Sequence, residues 1–469
     1  MSDRAAMTAQ DTVERVLELS KADGCIVIAD EKSGANLRWA GNTLTTNGAT
    51  SSRQLTVIAS VNGATGVAAG VISRSNVTAD DLESVVRAAE AAAVGAGPAD
   101  DAYALVEPDG GAGESGWADP PAETDIQVFA RFAPELGEAF ARSRAAGRRL
   151  YGFAEHVTTT SYLGSSTGLR LRHDQRFGSV TVNGKAEPGG SAWVGAATDD
   201  FSDVDVAALD ADLARRLEWG RRTVDLAPGR YETLLPPTAV ADLMIPLYWF
   251  AGGRDAEEGH TVFARAGGGT RVGERLSELP VTLRSDPAAT APGLTCTPFA
   301  LTHASGRTES VFDNGLPLAP TNWISAGMLT TLIHTRSSAG ELGATVAPPI
   351  GNLILDGPAG GRTLPEMIAG TERGLLLTCL WYIREVDLET LLLTGLTRDG
   401  VYLIEGGEVA GLVTNFRFNE SPVDLLGRLA EVGQTEVTLP REWDEYGVRT
   451  AMPPIRIPDF NMSTISQAS

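Results

Sequence analysis

The sequence is poor in the two residue types that most often bind transition metals. It contains 3 cysteines and 5 histidines among 469 residues. Cys25, Cys296 and Cys379 are far apart and odd in number, which excludes a disulfide framework and fits a reducing compartment. The closest histidines are His156 and His173, and no HExxH or HxH motif occurs. A zinc site built from neighbouring ligands is therefore excluded, and only one assembled from distant residues stays open.

Positive charge and long apolar runs are scarce as well. The chain has 38 Lys+Arg against 60 Asp+Glu, a net charge of −22. Such a surface repels nucleic acid and anionic membranes, so neither is expected as a partner. No window approaches about 18 consecutive apolar residues, and the opening MSDRAAMTAQDTVERV lacks the apolar core of a signal peptide. The sequence predicts a cytoplasmic protein that does not span a membrane.

What is present predicts an α+β fold with several units. Residues 1–95 combine amphipathic helices with strand-like runs, and residues 96–120 form a linker rich in Gly, Pro, Asp and Ala. Residues 121–228 form a middle α+β unit with an antiparallel meander. Residues 229–469 alternate short strand-like runs with turns, which predicts a β-rich, barrel-like or sandwich-like domain. The N-terminal α/β layers thus precede a β-rich C-terminal part.

Local patterns give more specific predictions for the first unit. A helix is expected over Asp11–Lys21, followed by strands at Gly24–Ala29, Ala35–Leu44 and Gln54–Val61. Thr78 is predicted to cap a second helix with acids in its first turn.

Helix patterns in the rest of the chain are fewer. The middle unit predicts helices over residues 124–147 and 206–224, separated by a meander that covers residues 149–185. In the third unit helices are expected only at four places, which are residues 238–250, 322–333, 364–370 and 421–427.

One formal catalytic motif occurs, the GSSTG sequence at 164–168, which matches G-x-S-x-G around Ser166. A nucleophile elbow requires a strand before the serine and a helix after it. The following LRLRHD alternates as a strand does, so GSSTG is predicted to be a hairpin turn. His173 lies close in sequence, but a triad would also need an acid and an oxyanion hole. Glycine-rich runs elsewhere lack the spacing of phosphate-binding loops.

Polar clusters in the third unit are candidates for a peptide-binding groove. They mix aromatic or amide groups with charge, as such grooves do. The NFRFNE alternation would place three polar residues on one strand face. The candidate residues are Trp381, Tyr382, Arg398, Asn415, Arg417 and Asn419.

The third unit resembles the TldD/PmbA family, whose members are related to metallopeptidases. The resemblance is carried by TGLTRDGVYLIEGGEVAG (394–411), by the following VTNFRFNESPVDLLGRL, by HTVFARAGGGTRVGERLSELPVTLRSDP (260–287) and by GATGVAAGVIS in the first unit. It covers nearly the whole chain in the same order. In this family, two related subunits form a peptidase complex, and the TldD-type subunit binds zinc through a HExxxH helix and a later cysteine.

The resemblance implies that this chain is the other kind of subunit. The stretch Met244–Phe250 of LMIPLYWFAGG stands where HExxxH would be, and Arg398 stands where the zinc cysteine would be. Pro246 also argues against a straight helix that presents two histidines. We therefore expect no catalytic residue, no metal ligand and no cofactor in this chain, with zinc in a TldD-type partner.

In that arrangement, this chain would contribute chamber wall and peptide groove to a complex that cuts unfolded peptides. Trp381 and Tyr382 are also candidate anchors of a subunit interface. A homodimer in the absence of the partner stays open. So do a stand-alone peptide-binding or scaffold protein, and an autonomous hydrolase that uses Ser166 or zinc ligands among His260, His303, His334 and Cys379.

Overall fold

The computed structural model describes residues 7–108, 116–187 and 190–466. Residues 109–115 of the predicted linker and residues 1–6 of the polar N-terminal stretch lie outside the described residues. The described chain folds into helices and three mainly antiparallel sheets, which confirms the predicted α+β class.

The N-terminal part forms a three-stranded meander, with one helix before it and one after it in sequence. Its elements are α1 (Ala9–Leu19), β1 (Gly24–Trp39), β2 (Leu44–Gly63), β3 (Gly66–Ser75) and α2 (Leu82–Gly95). The predicted strands Gly24–Ala29 and Ala35–Leu44 belong largely to one strand, because the residues between them stay paired with both neighbouring strands. The glycine-rich run GATGVAAGVIS supplies most of β3.

The predicted cap of the second helix was wrong. Asp81, not Thr78, is the N-cap residue, and the helix begins at Leu82. The Asp81 carboxylate accepts hydrogen bonds from the Thr78 amide at 3.0 Å and the Thr78 hydroxyl at 2.6 Å. The carboxylate thereby closes a turn ahead of the helix, as aspartate commonly does.

The middle part of the chain adds the predicted meander. The elements are α3 (Phe132–Ala145), β4 (Arg148–Ser165), β5 (Arg170–Ala186), β6 (Gly190–Thr198) and α4 (Val206–Trp219). A 3₁₀ helix, Ile126–Phe129, precedes α3 where one long helix was expected. From Arg170 onward, the alternating LRLRHD after GSSTG belongs to the strand β5.

One six-stranded sheet runs through both of these parts, in the order β3-β2-β1-β4-β5-β6. Its β1 strand is covered on both faces. Val27 packs in the core under α1 and α2, whereas Ile26 and Ile28 face Phe299 and Phe312 of the C-terminal part. This sheet therefore lies against the C-terminal part of the chain along its far face.

The C-terminal part contains the remaining elements. The helices are α5 (Pro237–Trp249), α6 (Gly253–Glu257), α7 (Arg336–Leu342), α8 (Leu364–Ala369) and α9 (Pro422–Gly427). The strands are β7 (Thr223–Val224), β8 (Gly229–Leu235), β9 (Thr282–Ser285), β10 (Thr321–Ser325), β11 (Met328–Leu329), β12 (Asn352–Asp356), β13 (Arg373–Leu377), β14 (Leu380–Asp387), β15 (Leu392–Thr397), β16 (Val401–Glu405), β17 (Glu408–Val413), β18 (Phe416–Glu420), β19 (Glu431–Val432), β20 (Glu436–Thr438), β21 (Arg449–Met452) and β22 (Ile455–Ile465).

These strands form two sheets that share a core with α5. One has the order β11-β10-β9-β12-β21-β20, and the other has the order β14-β15-β18-β22-β8-β13-β16-β17-β7, with β19 beside β22. Leu283 and Leu353 of the first sheet and Leu375 and Leu403 of the second lie in the same cluster as Leu243 of α5. Helix α5 is buried on all sides, as expected for a helix whose residues are almost all apolar.

Three of the four predicted C-terminal helices are confirmed as α5, α8 and α9, but the helix over 322–333 was wrong. That segment is the β10–β11 hairpin, which turns at Ala326 and Gly327 with positive φ angles of 46° and 83°. Trp323 and Ile324 are both buried in the same core, at an irregularity in the pairing of β10 with β9. Consecutive buried residues cannot be assigned to helix or strand by periodicity alone.

Candidate functional site

Helix α5 continues through its internal proline because a distant side chain replaces the missing hydrogen bond. Pro246 has no amide hydrogen, so the carbonyl of Asp242, four residues earlier, loses its helical donor. The indole Nε1 of Trp443 donates to that carbonyl at 2.8 Å. The helix then extends to Trp249. The segment after β20 is thus anchored on α5.

The Asp242 side chain makes a second contact with the same segment. It is fully buried, and its Oδ1 accepts a hydrogen bond from the Glu442 amide at 2.9 Å. Its Oδ2 has no hydrogen-bond partner among the described residues. Burial raises the pKa of this carboxyl well above its ordinary value. Burial therefore favours the neutral form of the Asp242 carboxyl over the carboxylate.

Glu442 connects this helix to the edge of the larger C-terminal sheet. Its carboxylate accepts hydrogen bonds from the amides of Tyr382 and Ile383, each at 3.0 Å. Both amides belong to the edge strand β14. The carboxylate occupies donors that a neighbouring strand would otherwise use, so a peptide cannot pair with β14 at this point.

Arg441 lies beside these contacts and is 8% exposed. Its guanidinium stacks 3.8 Å from the centroid of the Trp381 ring and lies 5.7 Å from that of Trp193 on β6. Its Nη2 is 3.9 Å from Asp399 Oδ2, while its Nε and Nη1 have no hydrogen-bond partner in the described chain. Aromatic faces and one carboxylate thus stabilise a buried cation.

Arg398 and Asp399 complete the cluster from the turn between β15 and β16. The Arg398 Nε is 3.6 Å from Asp399 Oδ2, and its guanidinium lies 5.8 Å from the Trp381 ring. Ser191, at the start of β6, donates a hydrogen bond to Asp399. We call Asp242, Trp381, Arg398, Asp399 and Arg441 the arginine cluster. It joins α5, both C-terminal sheets and the edge of the N-terminal sheet.

Most of the predicted peptide-binding residues lie next to this cluster on one sheet face. Trp381 is opposite Leu396, and Leu396 is opposite Arg417, so these side chains cross three strands in a row. Phe416 and Phe418, on either side of the exposed Arg417 in β18, are buried. This confirms the alternation predicted for NFRFNE. Asn419 lies two residues further along β18, and Asn415 directly precedes that strand.

Tyr382 does not join this face. It has a φ of +57° at an irregularity in the β14–β15 pairing, and it is 56% exposed. Its ring packs under the Arg384 guanidinium at 4.5 Å. Tyr382 therefore lies exposed at an irregular point of the edge strand β14.

A cleft of about 570 Å³ lies beside the cluster, between the N-terminal sheet and the C-terminal part. It is flanked by β6 and β20, which are the edge strands of their sheets. The Trp193 carbonyl points away from β5 and accepts a hydrogen bond from Arg216 at 2.9 Å. In an antiparallel strand alternate residues point the same way, so the backbone groups of Gly195 and Ala197 also face the cleft.

Metal-ligand residues are not brought together at the arginine cluster. Cys379 is near it, but burial raises the pKa of its thiol to about 12, so the thiolate is disfavoured. Within the described residues one group, Asp255, Glu258 and His260, has ligand atoms close enough to share an ion. Arg307 already pairs with both of its carboxylates at the surface.

Ser166 lies where the sequence predicted, in the hairpin turn between β4 and β5. Gly168 there has a φ of +101°, the conformation that glycine allows. The Ser166 Oγ accepts a hydrogen bond from the Cys25 amide at 3.0 Å, and its own amide donates to the Cys25 carbonyl at 2.8 Å. This serine fastens a turn to β1.

Two family profiles match most of the chain. The profile described as PmbA/TldA metallopeptidase central domain matches residues 118–227. The profile described as PmbA/TldA metallopeptidase C-terminal domain matches residues 228–464. The chain belongs to the TldD/PmbA family. Its arginine cluster lies in the part that the C-terminal profile covers, with Trp193 and Ser191 from the central one.

Solved structures with the same fold include TldE from Thermococcus kodakarensis, with a TM-score of 0.77 and 15% identity over 96% of this chain and 99% of that one. A protein from Thermotoga maritima described as a candidate modulator of DNA gyrase has a TM-score of 0.75 and 16% identity, over 97% of this chain and 100% of that one. A protein from Bacteroides thetaiotaomicron with a similar description has a TM-score of 0.74 and 15% identity, over 97% of this chain and 98% of that one. Curated protein sequences gave no match. No described helix is both long and apolar enough to cross a bilayer.

Sequence reasoning missed Asp242, Arg441 and Glu442. A single acid inside the apolar run AVADLMIPLYW was the available signal, because an unpaired carboxyl at such a position requires a polar partner. The partner, in REWDEY (441–446), is 200 residues away in sequence and could not be identified.

Proposed function

We propose that this chain is the non-catalytic, TldE-type subunit of a two-chain zinc peptidase, and that it holds an unfolded peptide while a TldD-type partner cuts it. The arginine cluster carries the proposal. The family resemblance gives α5 and the β15–β16 turn as the metal-binding elements of the TldD-type subunit. In this chain the corresponding elements present Arg398, a fully buried Asp242 and apolar side chains, and Arg441 lies between them.

Electrostatics favours this assignment over a catalytic one. Two guanidinium groups flank Trp381, at 3.8 and 5.8 Å from its ring. Two cations gathered at one ring repel a divalent ion. A site that repels the ion would lack the group that lowers the pKa of a water molecule towards neutrality in a zinc peptidase. Similarity in fold to TldE from Thermococcus kodakarensis agrees with the assignment.

The cleft between β6 and β20 is the proposed peptide groove. An extended peptide can pair with the free edge of β6 through the backbone groups of Gly195 and Ala197, without selecting side chains. Residues 415–419 belong to β18, which is an interior strand. Asn415, Arg417 and Asn419 can therefore contact a peptide only through their side chains, across the sheet face beside the cleft.

The first test is metal analysis and peptide turnover, on this chain alone and after co-purification with a TldD-type subunit. We expect no zinc and no turnover alone, and about one zinc per pair with turnover together. A monodisperse monomer with no affinity for that partner would favour a stand-alone binding protein. Stoichiometric zinc in the isolated chain, or activity lost in Ser166→Ala, would favour an autonomous hydrolase.

The second test addresses the peptide contacts. We expect Arg398→Ala to raise KM for an unfolded peptide in the assembled pair with little change in kcat, since Arg398 would bind substrate and not the reacting atoms. Arg373→Ala is the matched control, because Arg373 is an exposed arginine on the same sheet. Equal KM values for the two variants would show that Arg398 does not contact the bound peptide.

A further inference from the structure

A second cleft, of about 480 Å³, lies at the other end of α5. It opens between Gln175 of β5 and loops of the C-terminal part that include residues 296–302 and 348–351. It shares no lining residue with the cleft between β6 and β20. Neither the arginine cluster nor the predicted peptide-binding residues line it.

One wall of this cleft is aromatic, and it is formed by the end of LMIPLYWFAGG. The Trp249 ring lies 5.2 Å from that of Tyr446 and 5.0 Å from that of Trp443, in edge-to-face contacts. Tyr446 is 66% exposed even though it packs in this cluster. Leu318 and Ile333 add aliphatic surface to the lining. This wall can hold an apolar or aromatic group.

Arg449 also lines the cleft, and it is a buried cation without an anion. It is 8% exposed. Its Nη1 donates to the Gly447 carbonyl at 3.1 Å and its Nη2 donates to the Arg176 carbonyl at 2.8 Å. Its Nε has no hydrogen-bond partner, and no carboxylate of the described chain forms an ion pair with it. Burial lowers the pKa of this guanidinium, which Cys296 and Asp199 offset only in part.

An unpaired guanidinium in such a position costs folding free energy, because its hydration is lost and no carboxylate replaces it. The other acidic groups of the lining do not supply that partner. Asp313 is already held by Arg336 at 2.7 Å, and Glu309 is exposed at the rim. A guanidinium pairs best with a carboxylate, through charge-assisted hydrogen bonds. The cleft therefore offers an aromatic wall together with a buried cation that stacks on Phe177 at 5.5 Å but has no ion pair among the described residues.

We propose that this cleft binds a carboxylate that carries an adjacent apolar or aromatic side chain. Arg449 pairs with the carboxylate, and the wall of Trp249 and Tyr446 holds the side chain. Two sources share this chemistry, which are the free C-terminal residue of a peptide and a small aromatic carboxylic acid. The site belongs to this chain alone and does not depend on a peptidase partner.

Calorimetry on the purified full chain tests the proposal with matched ligands. N-acetylphenylalanine is expected to bind, and N-acetylphenylalanine amide, which lacks the negative charge, to bind about tenfold or more weakly. N-acetylalanine keeps the carboxylate but loses the ring, and it is also expected to bind more weakly. Equal affinity of the acid and the amide, or no saturable binding of any of them, would overturn the proposal.

A second set of ligands separates the two sources. Tripeptides that end in phenylalanine, with a free or an amidated C-terminus, are compared with N-acetylphenylalanine. If the free tripeptide binds as well as the single residue, the cleft accepts a peptide C-terminus. If only the single residue binds, the ligand is a small acid. Both outcomes support the site, and they show which of the two kinds of ligand it binds.

Variants assign the contacts. Arg449→Met is expected to weaken acid binding about tenfold and to abolish the difference between acid and amide. Tyr446→Ala is expected to weaken the acid and the amide alike. Arg275→Met is the control, because Arg275 donates to the Ser277 and Ala326 carbonyls and does not line the cleft. If Arg449→Met fails to fold, Tyr446→Ala and the matched ligands still decide. Unchanged acid binding in a folded Arg449→Met would overturn the proposal.

Discussion

Two buried arginines eight residues apart in sequence, Arg441 and Arg449, occupy opposite kinds of surroundings. Each is 8% exposed, and each leaves guanidinium nitrogens without a partner. Arg441 stacks on Trp381 and has Asp399 at 3.9 Å. Arg449 donates to two backbone carbonyls, lies 5.5 Å from the Phe177 ring and lines an open cleft.

The difference separates a cation that the fold neutralises from one that it leaves for a ligand. Around Arg441, the opposing charge and the aromatic surface come from the chain itself, so the cluster is closed. Around Arg449, no described carboxylate forms an ion pair, and only the Phe177 ring and the charge of Asp199 offset the burial in part. A buried cation with no internal partner is therefore a better sign of a binding site than burial or charge alone.

The largest expected effect comes from removing the neutralised arginine. Arg441→Met should lower the free energy of unfolding by about 2–3 kcal/mol, because the stacking on Trp381 is lost and Asp399 keeps only Arg398 and Ser191 as partners. Urea unfolding monitored by tryptophan fluorescence measures it. A loss no greater than that of the surface control Arg275→Met would contradict the comparison.

Removing the uncompensated arginine should cost less. Arg449→Met loses two hydrogen bonds to carbonyls but leaves no carboxylate unpaired, so we expect about 1–2 kcal/mol in the same assay. The two variants can be ranked under identical conditions. If Arg449→Met lowered the free energy of unfolding more than Arg441→Met, the distinction between an arginine neutralised by the fold and one left for a ligand would be wrong.

The hydrogen bond from the Trp443 indole to the Asp242 carbonyl can be tested with a double-mutant cycle. Trp443→Phe leaves the Asp242 carbonyl without a donor and should cost about 1–2 kcal/mol. In a Pro246→Ala background the helix regains an amide at position 246, and the same change should cost about 1 kcal/mol less. Additive costs would mean that the indole does not replace the missing helical hydrogen bond.

The smallest effect concerns pH. Burial raises the pKa of Asp444 from 3.8 to about 6. The unfolded chain then loses this proton at a lower pH than the folded chain does. The free energy of unfolding should therefore fall as pH rises from about 4 to about 6. Asp444→Asn should flatten that decline in urea unfolding measured at several pH values, and an unchanged slope would assign the decline to other groups.

Several features of the fold followed directly from sequence patterns. The apolar run over 238–250 predicted a helix, and NFRFNE predicted a strand with its polar residues on one face. The helix is α5, and the alternation along β18 was confirmed because a period of two is a local property of a strand. The hairpin turn at GSSTG was also confirmed, since the alternation after it is that of a strand.

Patterns failed where tertiary contacts override local preference. The segment 322–333 is a hairpin whose consecutive residues Trp323 and Ile324 are both buried, and Tyr382 lies at an irregular, exposed point of an edge strand. Asp81 replaced Thr78 as the cap of α2. The predicted site residues were found near one another, but the groups that neutralise them were not predicted.

The sequence by itself determined that the chain resembles the TldD/PmbA family and that α5 carries apolar residues where HExxxH would stand. It also determined which strands alternate. Only the tertiary structure decided that Asp399 and Trp381 lie against Arg441 while no carboxylate pairs with Arg449. The physical reason is that charge compensation depends on distances of a few ångströms between residues that are tens to hundreds of positions apart.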